Sequence, residues 1–248
     1  MARGLMVGVS ALAALSGAVA TGVYVKRNSE TQAQAIAAAD DGACVKNRVS
    51  LVEGMPQECL TSAQYEALRD RPVISADGSP ITVNLIGAAA NTETETVRNC
   101  VEYDARMRDG WYALTSADMR REEYYKRACV SLSLLVKAKP AQSTNFAGDH
   151  ADAEDIKALA MGDAIGFAEV GAPVDVGVTS VADGVWKVTI GQGETMIYEI
   201  AHADFNGDGL GEILAYLSIG SVDGTARTGS VGFLEKRSPE GPCYFTAQ

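Results

Sequence analysis

The pattern of apolar and polar residues changes character at Pro173. After this proline, short segments rich in β-branched and aromatic residues follow one another, separated by glycine- and aspartate-containing turns. Runs of this kind are typical of strands joined by tight turns. The pattern predicts an antiparallel meander with strands at 174–181, 185–190, 194–203, 212–219 and 229–235, closed by a short apolar segment at 243–245.

Before Pro173 the apolar residues recur mainly at helical spacing. Thr61 and Gln64 have the spacing of a capping box, and Thr115 precedes a long amphipathic segment that stops ahead of Pro140. The sequence predicts helices at 62–70, 92–108, 116–137 and 153–161. We therefore expect an α+β fold, in which a helical N-terminal half built on a helix pair is followed by an antiparallel β-meander.

The N-terminal segment predicts export. Residues 4–25 carry no charge, Arg3 precedes them, and Ala18-Val-Ala20 matches a signal-peptidase site. The same stretch is also long enough for a membrane anchor, so 1–27 is predicted to be a signal peptide or a membrane anchor. Residues 28–43 have the composition of a spacer, 44–172 form a mainly helical region, and 173–248 form the β-rich region.

Five cysteines support an oxidising compartment. None forms a C-x-x-C pair, and no histidine lies at zinc-ligand spacing from any of them. Sequence proximity predicts bridges Cys44–Cys59 and Cys100–Cys129, the second between the two helices of the pair, with Cys243 left single. Five reduced thiols are the alternative. The bridges would place the protein in the periplasm, or anchored in the inner membrane facing the periplasm, or outside the cell.

Charge excludes one class of partner. The formal net charge is −11 and the sequence pI is about 4.7, with no cluster of lysine and arginine. Nucleic acids and anionic lipid surfaces bind clustered positive charge, so neither is expected as a partner. The expected partner is an unidentified protein or envelope component, with membrane attachment through 1–27 if that segment is not cleaved.

The segment 204–212, with the sequence DFNGDGLGE, concentrates oxygen-bearing side chains at alternate positions around two glycines. Calcium takes six to eight oxygen ligands, and a D-x-N-x-D-G run offers them from loop positions one, three and five. An EF-hand would need a carboxylate at position twelve, where this chain has Ala215, and helices on both sides, where the pattern predicts strands. The loop is therefore not an EF-hand.

The stretch ADFNGDGLGEIL resembles the calcium hairpin of FG-GAP and VCBS-type repeats, in which D-x-N-x-D-G-x-x-D/E joins two strands. The resemblance covers about twenty residues. It implies a Ca²⁺ site in which Leu210 offers its backbone carbonyl and the other ligands are side-chain oxygens, those of Asp204, Asn206, Asp208 and Glu212. Propellers of this family repeat the loop, whereas this chain has it once, so a propeller is not expected.

Two interpretations of the loop stay open. In one, a structural calcium ion braces the hairpin, because three carboxylates within nine residues would otherwise repel one another. In the other, the loop is a tight Asn-Gly and Asp-Gly turn whose acidic side chains face water.

Catalytic signatures are scarce. The chain has no G-x-S-x-G, S-x-x-K or H-E-x-x-H motif, and its only histidines are His150 and His202. We expect His150 in a solvated loop and His202 packed against the sheet. The sequence therefore favours a non-enzymatic envelope protein, an interaction or structural module with one calcium hairpin. The alternative is a secreted or periplasmic hydrolase that uses the loop only as scaffold.

Overall fold

The computed structural model describes residues 43–87, 93–161, 175–222, 224 and 227–248. The predicted signal peptide or anchor, and nearly all of the predicted spacer, lie outside these ranges. Within them, no helix is both long and apolar enough to cross a membrane.

Short elements precede the large sheet. In chain order they are β1 (Val45–Lys46), β2 (Cys59–Leu60), α1 (Ser62–Leu68), β3 (Val83–Ile86), β4 (Thr94–Val97), α2 (Cys100–Arg108), α3 (Ser116–Leu135), β5 (Ser143–Thr144) and α4 (Ala153–Met161). The strands β1 and β2 pair antiparallel, as do β3 and β4.

Six consecutive strands then form an antiparallel meander. They are β6 (Val176–Ala182), β7 (Val185–Ile190), β8 (Gly193–Ala203), β9 (Leu210–Ser221), β10 (Arg227–Lys236) and β11 (Cys243–Ala247). Each strand pairs with its neighbour in sequence, so the spatial order is β6 to β11 without a crossover. The short β5 adds a seventh strand, parallel to β9.

The expected helical N-terminal half is wrong. Of the described residues, 41% lie in strands and 24% in helices, and the four helices are interspersed with small sheets. The predicted helix at 92–108 begins only at Cys100, because the Asn99 side chain caps it by accepting from the amide of Glu102. The threonine- and valine-containing segment 94–97 before this cap pairs with β3 instead.

Helix α1 starts where the sequence predicts. The Thr61 side chain accepts from the Gln64 amide, and the Gln64 side chain accepts from the Thr61 amide at 2.8 Å. Helix α3 begins in the same way, because the Thr115 hydroxyl accepts from the Asp118 amide at 3.0 Å. These local caps satisfy backbone donors that the first turn of a helix leaves without partners.

Strand β9 is buried on both faces. Leu214 belongs to one core, which also contains Leu132 of α3, whereas Ile213 and Leu217 belong to a second core, which also contains Ile156 of α4. The alternation follows from the two-residue period of a strand. Helices therefore cover both faces of the central sheet, and each fully buried Leu or Ile contributes about 1.5 to 3 kcal/mol.

A bulge in β8 changes which residues face each core. The register against β9 shifts between Glu199 and Ala201. As a result Ile200 and Ala201, although adjacent in sequence, both belong to the core on the α3 side. Glu199 faces the other side of the sheet, where its carboxylate meets Trp186 and Ala151. Bulges insert one extra residue and redirect the side chains beside it.

Both predicted disulfides are present. Cys44–Cys59 joins the start of β1 to β2, and Cys100–Cys129 joins α2 to α3. Cys243 is free and buried, and burial raises the pKa of its thiol to about 12, so it stays protonated and unreactive at neutral pH.

We expect the double variant Cys100→Ala/Cys129→Ala to lower the free energy of unfolding by about 2 to 5 kcal/mol, because the bridge closes a long loop in the unfolded chain. Denaturant unfolding measures the change. Cys243→Ala is the control, since it removes a buried thiol without breaking a bridge, and about 1 kcal/mol is expected. A loss in the double variant no larger than twice that of Cys243→Ala would show that the Cys100–Cys129 bridge adds nothing beyond packing, because the double variant truncates two buried side chains and the control one.

Candidate functional site

The acidic loop connects the two central strands of the sheet, β8 and β9. At its base, Asp204 and Lys139 exchange two backbone hydrogen bonds, of 2.8 and 2.9 Å. At its other end the Gln142 amide donates to the Gly209 carbonyl at 3.0 Å. The loop is therefore held on both sides by the segment that leads into β5.

Side-chain oxygens fold the loop around itself. The two carboxylate oxygens of Asp204 accept from the amides of Gly207 and Gly209, at 2.6 and 3.1 Å. The Asn206 amide oxygen accepts from the Asp208 amide at 2.8 Å. Both glycines have φ near +86°, which a residue with a Cβ adopts only at a cost of about 1 to 2 kcal/mol.

Three of the predicted ligands come together in the structure. The Asn206 amide nitrogen donates to Asp208 at 3.2 Å and to Glu212 at 3.0 Å, so it lies between two carboxylates. A second Glu212 oxygen accepts from the Phe205 amide at 2.8 Å. The side-chain nitrogen of Asn206 therefore lies where the two carboxylates favour positive charge.

Two other predicted ligands are placed differently. The oxygens of Asp204 face loop amides, and Leu210 lies in β9 with its backbone in register with Ser143 of β5. Within the described ranges, no three histidine, cysteine or acidic side chains lie close enough together to hold a metal as they stand. Binding a cation would therefore require the loop side chains to turn inward.

The charges of the loop are uncompensated. Asp204 is 6% exposed and Glu212 is 4% exposed. Among the residues that the structure describes, no lysine, arginine or histidine forms an ion pair with Asp204, Asp208 or Glu212. Burial, with smaller contributions from the two aspartates, raises the pKa of Glu212 to about 7, against the opposing hydrogen bond from Phe205.

The donor set fits a hard divalent cation. It consists of carboxylate and amide oxygens, which calcium prefers, and contains no thiolate or imidazole. Each carboxylate has about four acceptor positions and uses only some of them for loop amides, so the remaining ones are available. A cation would neutralise charge that the described residues leave without an ion pair.

A second polar cluster surrounds the side chain of Glu199, which is fully buried. Arg48 donates to one oxygen of this carboxylate, and Nδ1 of His150 lies 2.9 Å from the same oxygen. The other oxygen accepts from the indole Nε1 of Trp186 and from the Ala151 amide, each at 3.2 Å. The cluster ties the segment after β1 and the loop before α4 to the bulge in β8.

The tautomer of His150 decides what its ring can do. Nδ1 lies 2.7 Å from Arg48 and 2.9 Å from Glu199, so it accepts from the former when unprotonated and donates to the latter when protonated. Nε2 lies 3.7 Å from Asp149 and 3.8 Å from Asp183. Instead of the expected solvated position, the structure places this ring against a buried carboxylate.

His202 has a packing role, as the sequence predicts. Its Nε2 lies 3.1 Å from the Thr144 hydroxyl, and burial lowers the pKa of its ring. A Cβ on Gly211 would lie 2.2 Å from this nitrogen, so the glycine makes room for the ring. The two histidines therefore have separate hydrogen-bond partners.

Sequence reasoning missed Arg48, Glu199 and Trp186 as members of one cluster. Only Glu199 carries a visible signal, because it is a charged residue inside a strand whose neighbours are apolar. The other two lie 151 and 13 residues from it in the chain, and only the fold brings them together.

Comparison of the chain with protein-family models, with curated proteins and with solved structures finds no match in any of the three. Function is therefore inferred from the chemistry and geometry of these two clusters.

In the presence of a chelator, we expect Glu212 to make the protein less stable as the pH rises from about 4.5 to about 7. The raised pKa means that Glu212 holds its proton more tightly in the folded protein than in the unfolded chain. The stabilisation that this proton gives is fully present below the pKa of Glu212 in the unfolded chain, and it is lost as the pH rises through the pKa in the folded protein. Glu212→Gln should remove that pH dependence. Urea unfolding at about pH 5 and about pH 8 measures it.

Glu240→Gln is the matched control, since Glu240 is exposed and its side chain forms no hydrogen bond or ion pair with a described residue. An unchanged pH dependence in Glu212→Gln would show that the loop does not perturb this carboxyl group.

Proposed function

We propose that this protein is an exported or membrane-tethered component of a cell envelope, in which one structural calcium ion braces the hairpin between β8 and β9. Its expected role is that of an interaction or structural module, with a protein or envelope component as partner. The proposed ligands are the side chains of Asp204, Asn206, Asp208 and Glu212 with the carbonyl of Leu210.

The unpaired charge of the loop carries the proposal. Two of its three carboxylates are nearly inaccessible to water, yet no positive side chain among the described residues pairs with them. Elsewhere the fold pairs its buried carboxylates: Glu199 with Arg48, and Asp155 with Lys236 at 2.6 Å. A buried charge without a partner is costly, so a cation from solution is the missing element that best explains the loop.

The disulfides support the location. Two bridges fit an oxidising compartment outside the cytosol, such as the periplasm or the extracellular space. The uncharged segment 4–25 supports export to such a compartment. The net charge of −11 disfavours nucleic acid as a partner.

Calcium should stabilise the purified, chelator-stripped protein. By mass action, free calcium at about 100 times its dissociation constant adds about 2.7 kcal/mol, which raises the melting temperature. Asp204→Ala/Asp208→Ala should abolish both the binding heat and the shift in melting temperature. Calorimetric titration and thermal unfolding measure the two effects, and Mg²⁺ should bind more weakly because it demands stricter octahedral geometry.

Two further variants make this test specific. Asp208→Asn keeps an oxygen that can accept from the Leu210 amide, so it should fold while losing calcium affinity. Asp70→Asn removes an exposed carboxylate that forms no side-chain hydrogen bond or ion pair with a described residue, and should behave as wild type. The proposal fails if wild-type protein shows neither heat nor stabilisation, or if the double variant responds like wild type.

A second candidate function is hydrolysis, and the Glu199–His150 contact favours it. A buried carboxylate that orients one ring nitrogen, with the other nitrogen partly open to solvent, is the arrangement of a general base. No serine, threonine or cysteine side chain of the described residues bonds to Nε2 of His150, so this ring would activate water and not a protein nucleophile.

If His150 is such a base, hydrolysis of a peptide or glycan substrate should fall about 100-fold or more in His150→Ala and persist in His202→Ala, its matched control. Turnover of a peptide and glycan panel measures both. Absence of turnover by wild type, or equal losses in both variants, would reject the enzymatic role.

A further inference from the structure

An open cavity lies between helix α3 and the face of the central sheet that α3 covers. Its volume is about 260 Å³, close to the lower end of the range for small-molecule sites. Helix α3 contributes Arg120, Glu123, Tyr124 and Arg127, and the sheet contributes a second set of polar and aromatic residues, namely Tyr198, Tyr216, Ser218 and Arg227.

Arg127 is the unusual member of this lining. Its Nε is buried and has no hydrogen-bond partner, and its guanidinium forms no ion pair with any residue in the described part of the chain. Burial lowers the pKa of Arg127, although a guanidinium stays protonated in proteins. The described residues therefore leave a partly desolvated positive charge beside the cavity without an ion-pair partner.

Of the other charged residues that line the cavity, Arg120 is exposed on α3 and has no ion pair among the described residues, and the remaining two are engaged. Arg227 pairs with Glu194, and Glu123 pairs with Lys126 at 3.2 Å while also accepting from the Tyr216 hydroxyl at 3.3 Å. The uncompensated charge that is partly buried is thus that of Arg127. In a protein of net charge −11, this local positive charge favours an anion.

Tyrosine rings flank the guanidinium. The guanidinium carbon of Arg127 lies 5.3 Å from the ring centroid of Tyr124 and 5.8 Å from that of Tyr216. Tyr198 and Tyr216 lie 6.1 Å apart. A Cβ on Gly229 would lie 1.9 Å from the Tyr216 hydroxyl, so the glycine leaves room for this ring to adopt its position.

We propose that this cavity is a binding site for a small organic carboxylate with a flat apolar body. The guanidinium of Arg127 binds the carboxylate through bidentate hydrogen bonds, and the rings of Tyr124 and Tyr216 contact the apolar body of the ligand. Arg127 is the one partly buried arginine of the lining without an ion pair among the described residues, and it matches one negative charge. A phosphate dianion would need a second cation, and Arg120 offers one only from an exposed position on α3. The site does not depend on the proposed calcium loop.

Benzoate titrated into the full-length, disulfide-intact protein tests this proposal, in chelator so that calcium plays no part. Benzamide and inorganic phosphate are the comparison probes, and calorimetry or ligand-observed NMR is the readout. Benzoate should bind saturably, and the uncharged benzamide should bind about 10-fold or more weakly, since a charge-assisted hydrogen bond is lost. Phosphate should also bind more weakly than benzoate.

Arg127→Met keeps an unbranched apolar stem and removes the charged guanidinium, so affinity for benzoate should fall about 10-fold or more. Arg127→Lys keeps the positive charge but cannot form bidentate hydrogen bonds, so its affinity for benzoate should lie between those of wild type and Arg127→Met. Arg108→Met is the matched control, because Arg108 is exposed on α2 and its side chain forms no hydrogen bond or ion pair with a described residue, and the affinity of this variant should equal that of wild type.

The melting temperature of Arg127→Met without ligand separates a binding role from a structural one. If Arg127 serves binding, removing its partly buried and unpaired charge should leave the melting temperature unchanged or raise it. If the melting temperature of Arg127→Met falls as much as it would on truncation of a core side chain, the role of Arg127 is structural, through stacking on the tyrosine rings. The proposal is also overturned if benzoate does not bind wild type, if phosphate binds more tightly, or if Arg127→Met binds benzoate as wild type does.

Discussion

Burial of the β8–β9 hairpin on both faces is the constraint on which the rest of the structure depends. Side chains of β9 alternate between a core shared with α3 and a core shared with α4. Every polar group on this hairpin must therefore find a partner inside the protein or lie at an end of the strands. The two polar clusters follow from this condition, one at the bulge of β8 and one in the loop between the strands.

The bulge cluster meets the condition with protein groups alone. Glu199 points away from the α3 core because the bulge places Ile200 and Ala201 together on the other face. Arginine, histidine, indole and backbone donors then surround its carboxylate. The loop cluster does not meet the condition in this way. Backbone amides donate hydrogen bonds to carboxylate oxygens of Asp204 and Glu212, but the described residues supply no positive charge that pairs with these two side chains. This difference is the physical basis for assigning a cation to the loop.

Local features of the fold were predictable from sequence, because they depend on contacts between near neighbours. The Thr61 and Thr115 caps fix the starts of two helices, and glycines at 207 and 209 fix the turn of the loop. Cysteine proximity was enough for both bridges. The helical N-terminal half was wrong because strand β4 depends on pairing with β3, a contact that the periodicity of one segment does not contain.

The same difference between local and long-range contacts decides which of the three sites could be predicted from the sequence. The acidic loop is a single run of residues and was visible in the sequence, whereas the Glu199 cluster joins residues as far apart as Arg48 and Glu199. The cavity beside Arg127 was also hidden, because its lining comes from α3 and from separate strands of the sheet, and only the tertiary structure shows that the buried Nε of Arg127 has no partner there.

Hydrogen exchange of the β8–β9 hairpin, measured with calcium and with chelator, tests the central claim most directly. The account predicts that calcium slows exchange of the Gly207, Gly209 and Leu210 amides and of the two strands that flank them, because a bound cation stabilises the closed loop. The amides of α1, which lies outside the hairpin, should be protected to the same degree in both conditions unless they exchange only by global unfolding. Identical exchange of the hairpin amides with and without calcium would contradict the account.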